Sequence, residues 1–272
     1  MKLLTSLAIT MALTAIVAAQ TPTPISSEVA AQVSDELTEA ARAYRDGNFA
    51  QAQAHSEKAL LLDPQNKTAT YFVARTIHAQ YKPGDTTPAN LAKAREAIVA
   101  YQRILARYPH DEEAYKAIAY LYSVLHEDEL LRQWLLQRAG DTSVTDDKRA
   151  EAFVVLASKD WDCSFRITEL PGTKLTTLDG SRSYVSYHMP KERADFERAK
   201  ECANRGLEMA NKAIALTPEN EAAWSYKTNI LLELSKLAEM SGDVRLKVEL
   251  QREYREALNE TMKLSKRSQS AP

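Results

Sequence analysis

A proline-containing phrase occurs three times in this sequence and strongly limits what the chain can fold into. Residues 59–66 read ALLLDPQN, residues 104–111 read ILARYPHD and residues 213–220 read AIALTPEN. The proline cannot continue the helix before it, and the Asn or Asp two positions later is a good N-cap for a following helix. Repeated ends and restarts of this kind predict pairs of helices stacked as a repeat array, an architecture that usually binds other proteins.

The composition agrees with a helical chain. Only seven glycines and ten prolines occur among 272 residues, while Ala, Leu, Glu, Lys, Arg and Gln, which favour helix, are abundant. The formal net charge of −2 gives no global basic field for nucleic acid. We therefore expect no nucleic-acid partner.

The N-terminus has the pattern of a secretory signal. Lys2 precedes an uncharged, mostly apolar run over residues 3–19, which ends in the small-residue sequence Val-Ala-Ala. This pattern predicts a signal peptide over 1–19, cleavage before Gln20 and a linker over 20–32. The alternative is a retained N-terminal anchor, because about 17 apolar residues lie at the lower limit for a membrane span. We expect an exported bacterial protein, periplasmic or extracellular, with no stable membrane insertion after cleavage.

Large and small residues recur at matching positions in the predicted helices. They are Ala52 and Ala59 after the turn at Gly47, then Ala114-Tyr115 with Ile118-Ala119 and Tyr122, then Ala152-Phe153 with Leu156-Ala157, and finally Ala223-Trp224. In combination they resemble the tetratricopeptide repeat, a helix-turn-helix unit of about 34 residues. The resemblance implies an all-α, tetratricopeptide-like α-solenoid of about five helix pairs over 33–265, with a disordered tail over 266–272.

The repeats are irregular in two places. The turn of the second is lengthened over residues 82–90, and the fourth is split by an insertion over 162–190. Aromatic and β-branched residues of the insertion flank Asp179-Gly180, a typical tight-turn dipeptide, so we expect residues 174–178 to pair with 183–188. A lone hairpin is marginally stable in water, which predicts that it packs on the helices.

The two cysteines are placed by the same repeat register. It puts Cys163 at the end of the first helix and Cys202 in the second helix of the fourth repeat, flanking the insertion. In an oxidising compartment the resemblance implies a disulfide between them, worth roughly 3–4 kcal/mol in the chain-entropy model. The alternatives are two buried free thiols, or a metal pair with His188.

The resemblance also implies a partner-binding groove lined by first-helix residues. Carried over position by position, these are Tyr71, Arg75, His78, Lys116, Tyr120, Glu151, Trp161, Ser225 and Asn229. Aromatic and Arg side chains often anchor protein interfaces. Alternatively, the tyrosines fill gaps between repeats, Arg75 and Lys116 are merely solvated, and Trp161 packs under the hairpin.

No catalytic constellation is recognisable. The sequence has no Gly-rich phosphate loop, no G-x-S-x-G elbow and no H-E-x-x-H pair, so we expect no cofactor or metal. The preferred hypothesis is a non-enzymatic scaffold or adaptor that binds a protein or peptide in the groove. The alternatives are a small-molecule or glycan module built on the hairpin and Trp161, and an enzyme with an unrecognised site.

Overall fold

A computed structural model describes residues 25–270 of the chain. In that range it contains ten α-helices and two β-strands: α1 (Ser27–Arg45), α2 (Phe49–Leu62), α3 (Lys67–Gln80), α4 (Pro88–Arg107), α5 (Glu112–Val124), α6 (Asp128–Gly140), α7 (Asp146–Thr168), β1 (Lys174–Asp179), β2 (Arg182–Tyr187), α8 (Arg193–Leu216), α9 (Glu221–Met240) and α10 (Val244–Ser270). The predicted signal peptide and its cleavage site lie outside the described residues.

The helices belong to two compact units, the first ending at Tyr81 and the second beginning at Lys82. Within the first unit, α2 packs on both α1 and α3. Within the second, each helix from α4 to α10 packs on the next along the chain, and α7 also packs on α9. Such neighbour-to-neighbour packing is typical of repeat arrays. The predicted all-α fold of five helix pairs with a hairpin in the fourth is confirmed.

The proline phrases end and restart helices as predicted. Helices α2, α4 and α8 end two residues before the prolines at 64, 109 and 218. The side chains of Asn66, Asp111 and Asn220 then accept hydrogen bonds from backbone N–H groups three residues on, at 2.9, 2.9 and 3.0 Å. Each phrase therefore satisfies one N–H that the start of the next helix would leave without a partner.

Small residues at the matching positions are buried inside the units. Ala52 and Ala59 are fully buried in the first unit, as are Ala114 and Ala157 in the second. The second unit encloses its main apolar core between α6, α7, α8, α9 and α10, with Leu156, Ile230 and Leu231 among its members. Alanine at these positions lets neighbouring helices approach closely, which the resemblance implied.

Both ends of the helical region extend beyond the predicted bounds. Helix α1 begins at Ser27, inside the range assigned to the linker, because Ser26 caps it by accepting from the Val29 N–H at 3.3 Å. Helix α10 continues to Ser270 through most of the predicted disordered tail. There, Arg267 pairs with Glu219 at 3.0 Å, and the Ser268 hydroxyl donates to Glu221. These contacts give the last turns of α10 partners that the sequence pattern did not reveal.

The lengthened turn and the insertion are also ordered. The Asn90 side chain closes the loop between α3 and α4 by accepting from the Lys82 N–H and donating to the Lys82 and Asp85 carbonyls, at 2.7–2.8 Å. In the insertion, β1 and β2 pair antiparallel with Asp179 opposite Arg182, so the turn residues are Gly180 and Ser181. Gly180 has a φ of 58°, a left-handed conformation that glycine adopts without strain. The predicted hairpin is confirmed, one residue pair longer at its tip.

Helix α7 runs through most of the segment where the insertion was expected to begin. It ends at Thr168 rather than before Asp162, so Cys163 lies within the helix. Between residues 25 and 270, no helix combines the length and hydropathy needed to cross a bilayer.

Candidate functional site

Three of the expected groove residues lie on α3, in the first unit. Arg75 is exposed and its Cζ atom lies 5.9 Å from the centroid of the Tyr44 ring. Tyr71 is half-buried, with the Lys67 ammonium 5.7 Å from its ring centroid. Burial lowers the pKa of His78, so its imidazole is neutral at pH 7. These residues combine a cation, an aromatic ring and a neutral imidazole on one helix.

The other expected groove residues lie on α5, α7 and α9 of the second unit. Lys116 and Tyr120 are exposed on α5, and the Tyr120 side chain is 46% exposed. Glu151 is exposed on α7 and pairs with Lys148, one turn earlier, at 3.0 Å. Ser225 and Asn229 are half-buried on α9. Whether any of these residues contacts a partner stays a prediction.

Two exposed aliphatic residues on the same helices were not among the expected groove residues. Val155 on α7 is 40% exposed and Leu232 on α9 is 42% exposed. Val155 follows Glu151 by one turn, and Leu232 follows Ser225 by two, so each shares a helix face with an expected groove residue. A search of each helix face for apolar residues at these spacings would have found them.

We call these residues of α5, α7 and α9 the first-helix surface, because each helix is the first of its pair. Helices α7 and α9 pack on one another, and the Lys159 ammonium on α7 reaches the Ser123 hydroxyl on α5 at 3.4 Å. The surface comprises Lys116, Tyr120, Glu151, Val155, Ser225, Asn229 and Leu232. It mixes polar groups with three exposed apolar side chains.

Trp161 has a packing role. Its ring centroid lies 5.1 Å from that of Phe165 on the same helix and 6.1 Å from that of Tyr226 on α9. It is half-buried. Whether a small molecule or glycan also contacts this ring stays a prediction.

The disulfide that the repeat register implied is present. The Cys163 and Cys202 sulfurs are bonded, joining α7 to α8 with their Cα atoms 6.0 Å apart. The bond leaves no free cysteine within the described residues, which also removes the alternative of a metal pair with His188. It closes a ring that contains the hairpin.

A cluster of charged residues attaches the hairpin to the helices. We call Glu169, Lys174, Tyr187, Glu233 and Lys236 the hairpin-base cluster. The Lys236 ammonium donates to Glu169 at 2.8 Å and to Glu233 at 2.6 Å, and Lys174 on β1 donates to the second oxygen of Glu169 at 2.6 Å. Glu233, only 1% exposed, also accepts from the Thr168 hydroxyl at 2.5 Å.

Hydrogen bonds keep Lys236 and Glu169 in their charged states although burial favours the neutral ones. Burial alone lowers the pKa of Lys236, but hydrogen bonds to Glu169 and Glu233 outweigh it and raise the pKa above its ordinary value. For Glu169, burial raises the pKa, whereas hydrogen bonds from Lys174 and Lys236 prevail and lower it. Both groups are therefore charged at neutral pH, and each favours the charged state of the other.

Comparison with known proteins finds distant structural similarity and no close relative. No family model matches the chain, and no curated protein matches it. Among solved structures, MamA is 15% identical with a TM-score of 0.44, covering 87% of this chain and 96% of its own. A tetratricopeptide repeat protein from Parabacteroides merdae is 13% identical with a TM-score of 0.36, covering 88% and 93%. One from Thermus thermophilus is 15% identical with a TM-score of 0.30, covering 83% and 98%.

The family pattern is visible in the chain itself. Ten described helices follow one another along the chain, prolines end α2, α4 and α8, and alanines at the matching positions are fully buried. The chain has a tetratricopeptide-repeat fold. Its fourth repeat departs from the family pattern by carrying the hairpin and the disulfide.

The hairpin covers part of the first-helix face of the last tetratricopeptide repeat. Lys236 follows Ser225 by about three turns of α9 and so lies on the same face. There the Lys236 ammonium lies 5.1 Å from the Tyr187 ring centroid, and Glu239 accepts from the Tyr187 N–H at 3.1 Å. The N-terminal part of this face, around Ser225, Asn229 and Leu232, is the part that belongs to the first-helix surface.

The hairpin-base cluster was not found by sequence reasoning. Glu233 and Lys236 are spaced like an ordinary exposed ion pair on a helix, and Glu169 lies in a segment assigned to the insertion. The one available signal was the interruption of an apolar stripe, because Glu233 and Lys236 stand among residues 230–238, most of which are buried.

Within residues 25–270, no group of three or more His, Cys, Asp or Glu side chains is arranged to hold a metal ion. The charged groups of the hairpin-base cluster are committed to one another and to packing.

Proposed function

We propose that this chain is a non-enzymatic interaction scaffold that binds a segment of a partner protein on its first-helix surface. The observation that carries the proposal is the exposure of Tyr120, Val155 and Leu232 on three first helices, 40–46% each, among polar side chains. Apolar and aromatic groups surrounded by polar ones are the usual composition of a recognition patch. Repeat arrays commonly use such extended surfaces for protein partners.

We also propose that the protein acts outside the cytoplasm, in the periplasm or extracellular space of a bacterium. Two observations support this location. The apolar run over 3–19 has the pattern of a signal peptide, and a bond such as that between Cys163 and Cys202 is typical of proteins in oxidising compartments.

The first-helix surface can be tested by site-specific photo-crosslinking in intact cells. A photoreactive aromatic residue replaces Tyr120, and in a matched control it replaces Val99, which is 48% exposed on α4, a second helix. We expect a discrete crosslinked product from position 120 that Val155→Asp or Leu232→Asp reduces, and no such product from position 99. A carboxylate at an apolar contact is costly to bury, which is why these substitutions should weaken binding.

Two outcomes would contradict the proposal. The first is an absence of crosslinks from position 120 in protein that is present and folded in the cell. The second is the same product from positions 120 and 99, since that would show unspecific proximity.

A further inference from the structure

A second recognition site is indicated by a cleft between α6, α7 and α8. Its volume is about 630 Å³, within the range of pockets that hold small organic molecules. It is lined mainly by residues of α6, α7 and α8, with Ser123 of α5 and His126 beside them, and none of these residues belongs to the first-helix surface. The partner binding proposed above does not involve this cleft.

The centre of the cleft wall is a buried carboxylate held by two arginines. Asp160 is only 3% exposed. The Arg132 guanidinium donates to both of its oxygens, at 3.2 and 3.0 Å, and Arg205 donates to one of them through Nη2 at 2.9 Å and Nε at 3.3 Å. Arg205 also donates through Nη1 to Glu201 at 2.9 Å, so the two guanidinium groups are balanced by two carboxylates. Arg132 contacts Asp160 through Nη1 alone and keeps further N–H groups for a ligand.

Close packing of α8 on α7 fixes the position of this triad. A Cβ atom at Gly206 would lie 3.1 Å from the Asp160 Cβ and 3.0 Å from Ile230 Cδ1, so the glycine lets the two helices approach. One turn away, the Cys163–Cys202 disulfide joins the same helices, and Arg205 Nη2 lies 3.5 Å from the Cys202 sulfur. The guanidinium groups are therefore held in place before any ligand arrives.

The cleft also contains two cations outside the ion pairs of the described residues. Asp162 pairs with Arg166 at 2.8 Å, and Asp128 and Glu129 stand in the first turn of α6, where they complement the helix dipole. Within residues 25–270, no carboxylate forms an ion pair with Arg198 or Lys159, both of which line the cleft. Guanidinium N–H groups are thus available to a ligand.

We propose that this cleft binds a small organic ligand bearing an oxyanion, either a carboxylate or a phosphate. Arg198 and the N–H groups of Arg132 that Asp160 does not use would hold the oxyanion, because guanidinium matches its geometry and charge. The aliphatic part of the ligand would lie against Leu136, which is 41% exposed at the cleft.

Isothermal titration calorimetry of the full chain at low ionic strength tests the proposal, with citrate and inorganic phosphate as separate probes. We expect saturable binding of at least one probe, and the comparison of the two identifies the preferred oxyanion. Arg198→Ala should weaken that binding at least tenfold. The matched control is Arg193→Ala on the same helix, whose side chain pairs with Glu197 at 3.0 Å and does not line the cleft, and it should leave the affinity unchanged.

A third variant checks that binding depends on the triad. Arg132→Lys keeps the positive charge but loses the planar guanidinium group, and it should also lower the affinity for the probe. The proposal is overturned if neither probe binds saturably, or if Arg193→Ala and Arg198→Ala weaken binding equally. Because the crosslinking test of the first-helix surface uses other residues and a protein partner, either proposal can fail without the other.

Discussion

At the scale of single residues, Gly206 has the most restrictive surroundings of the seven glycines. A side chain there would lie within about 3 Å of atoms on both α7 and α9, whereas Gly140 at the end of α6 has open space around it. Composition alone does not separate these two glycines, since both stand in helical sequence. The difference arises from which helix packs against which, and that is a tertiary property.

Gly206→Ala should therefore destabilise the protein. Overpacking of this kind costs typically about 1–3 kcal/mol, and better helix propensity offsets up to about 1 kcal/mol of it. We expect a lower free energy of unfolding in urea denaturation followed by circular dichroism. Gly140→Ala is the matched control and should leave that free energy unchanged or slightly raised. Equal values for the two variants would contradict the close approach of α8 to α7.

At the scale of secondary-structure elements, the hairpin is held by charge at its base and is exposed at its tip. Leu178, near the turn, is 76% exposed, while Tyr187 at the other end is half-buried against α9. The sequence predicted the strands and their turn because Asp179-Gly180 and the flanking β-branched residues act locally. It predicted that the hairpin packs on the helices but not which residues attach it, because Glu233 and Lys236 are far from the hairpin in sequence and meet it only in the folded chain.

The attachment of the hairpin should depend on pH. The folded-state pKa of Glu169 is lowered, so its stabilisation is present above the ordinary value of 4.5 and is lost as the pH falls through the lowered folded value. The pKa of Lys236 is raised, so its contribution is present below the ordinary value of 10.5 and is lost as the pH rises through the raised folded value. Both contributions are complete at neutral pH.

Hydrogen exchange of the Tyr187 N–H, which donates to Glu239 on α9 at 3.1 Å, reports this attachment. Glu169→Gln should reduce its protection factor at neutral pH, and the difference from wild type should shrink in acid, once the pH has fallen through the lowered pKa and the wild-type carboxylate is protonated too. Glu197→Gln, an exposed substitution on α8, should have no effect. A loss of protection that is equal at both pH values would show that Glu169 does not act through its charge.

At the scale of the whole molecule, the sequence predicted the helical repeats well but predicted the ends of several helices poorly. Small residues at fixed spacing and the three proline phrases act locally, so five helix pairs could be anticipated. The end of α7 at Thr168 and the length of α10 could not be anticipated, because they involve contacts between residues far apart in sequence, Thr168 with Glu233 and Arg267 with Glu219. On the first-helix surface, the tetratricopeptide register predicted Tyr120 but not Val155 and Leu232. These two residues were missed because only some positions of each first helix were compared with the family pattern.

Export should leave a covalent record on the whole protein. We expect protein recovered from the cell envelope of its bacterium to begin at Gln20 and to carry a bond between Cys163 and Cys202, because both follow from passage into an oxidising compartment. Intact-mass measurement with and without reductant, followed by peptide mapping, checks both features. Protein that retains residues 1–19 would support a membrane anchor, and free thiols would contradict export to an oxidising compartment.

The ring closed by the bond between Cys163 and Cys202 allows the tip of the hairpin to be changed without changing the packing of the helices. Both cysteines lie within helices that pack tightly on each other, and the turn at Gly180-Ser181 lies at the far end of the hairpin. Extra sequence inserted at that turn would lengthen a closed loop, and the entropy of such a loop rises only slowly with its length. The fourth repeat therefore offers a position where a foreign epitope or a longer binding loop can be carried while the helices below keep their packing.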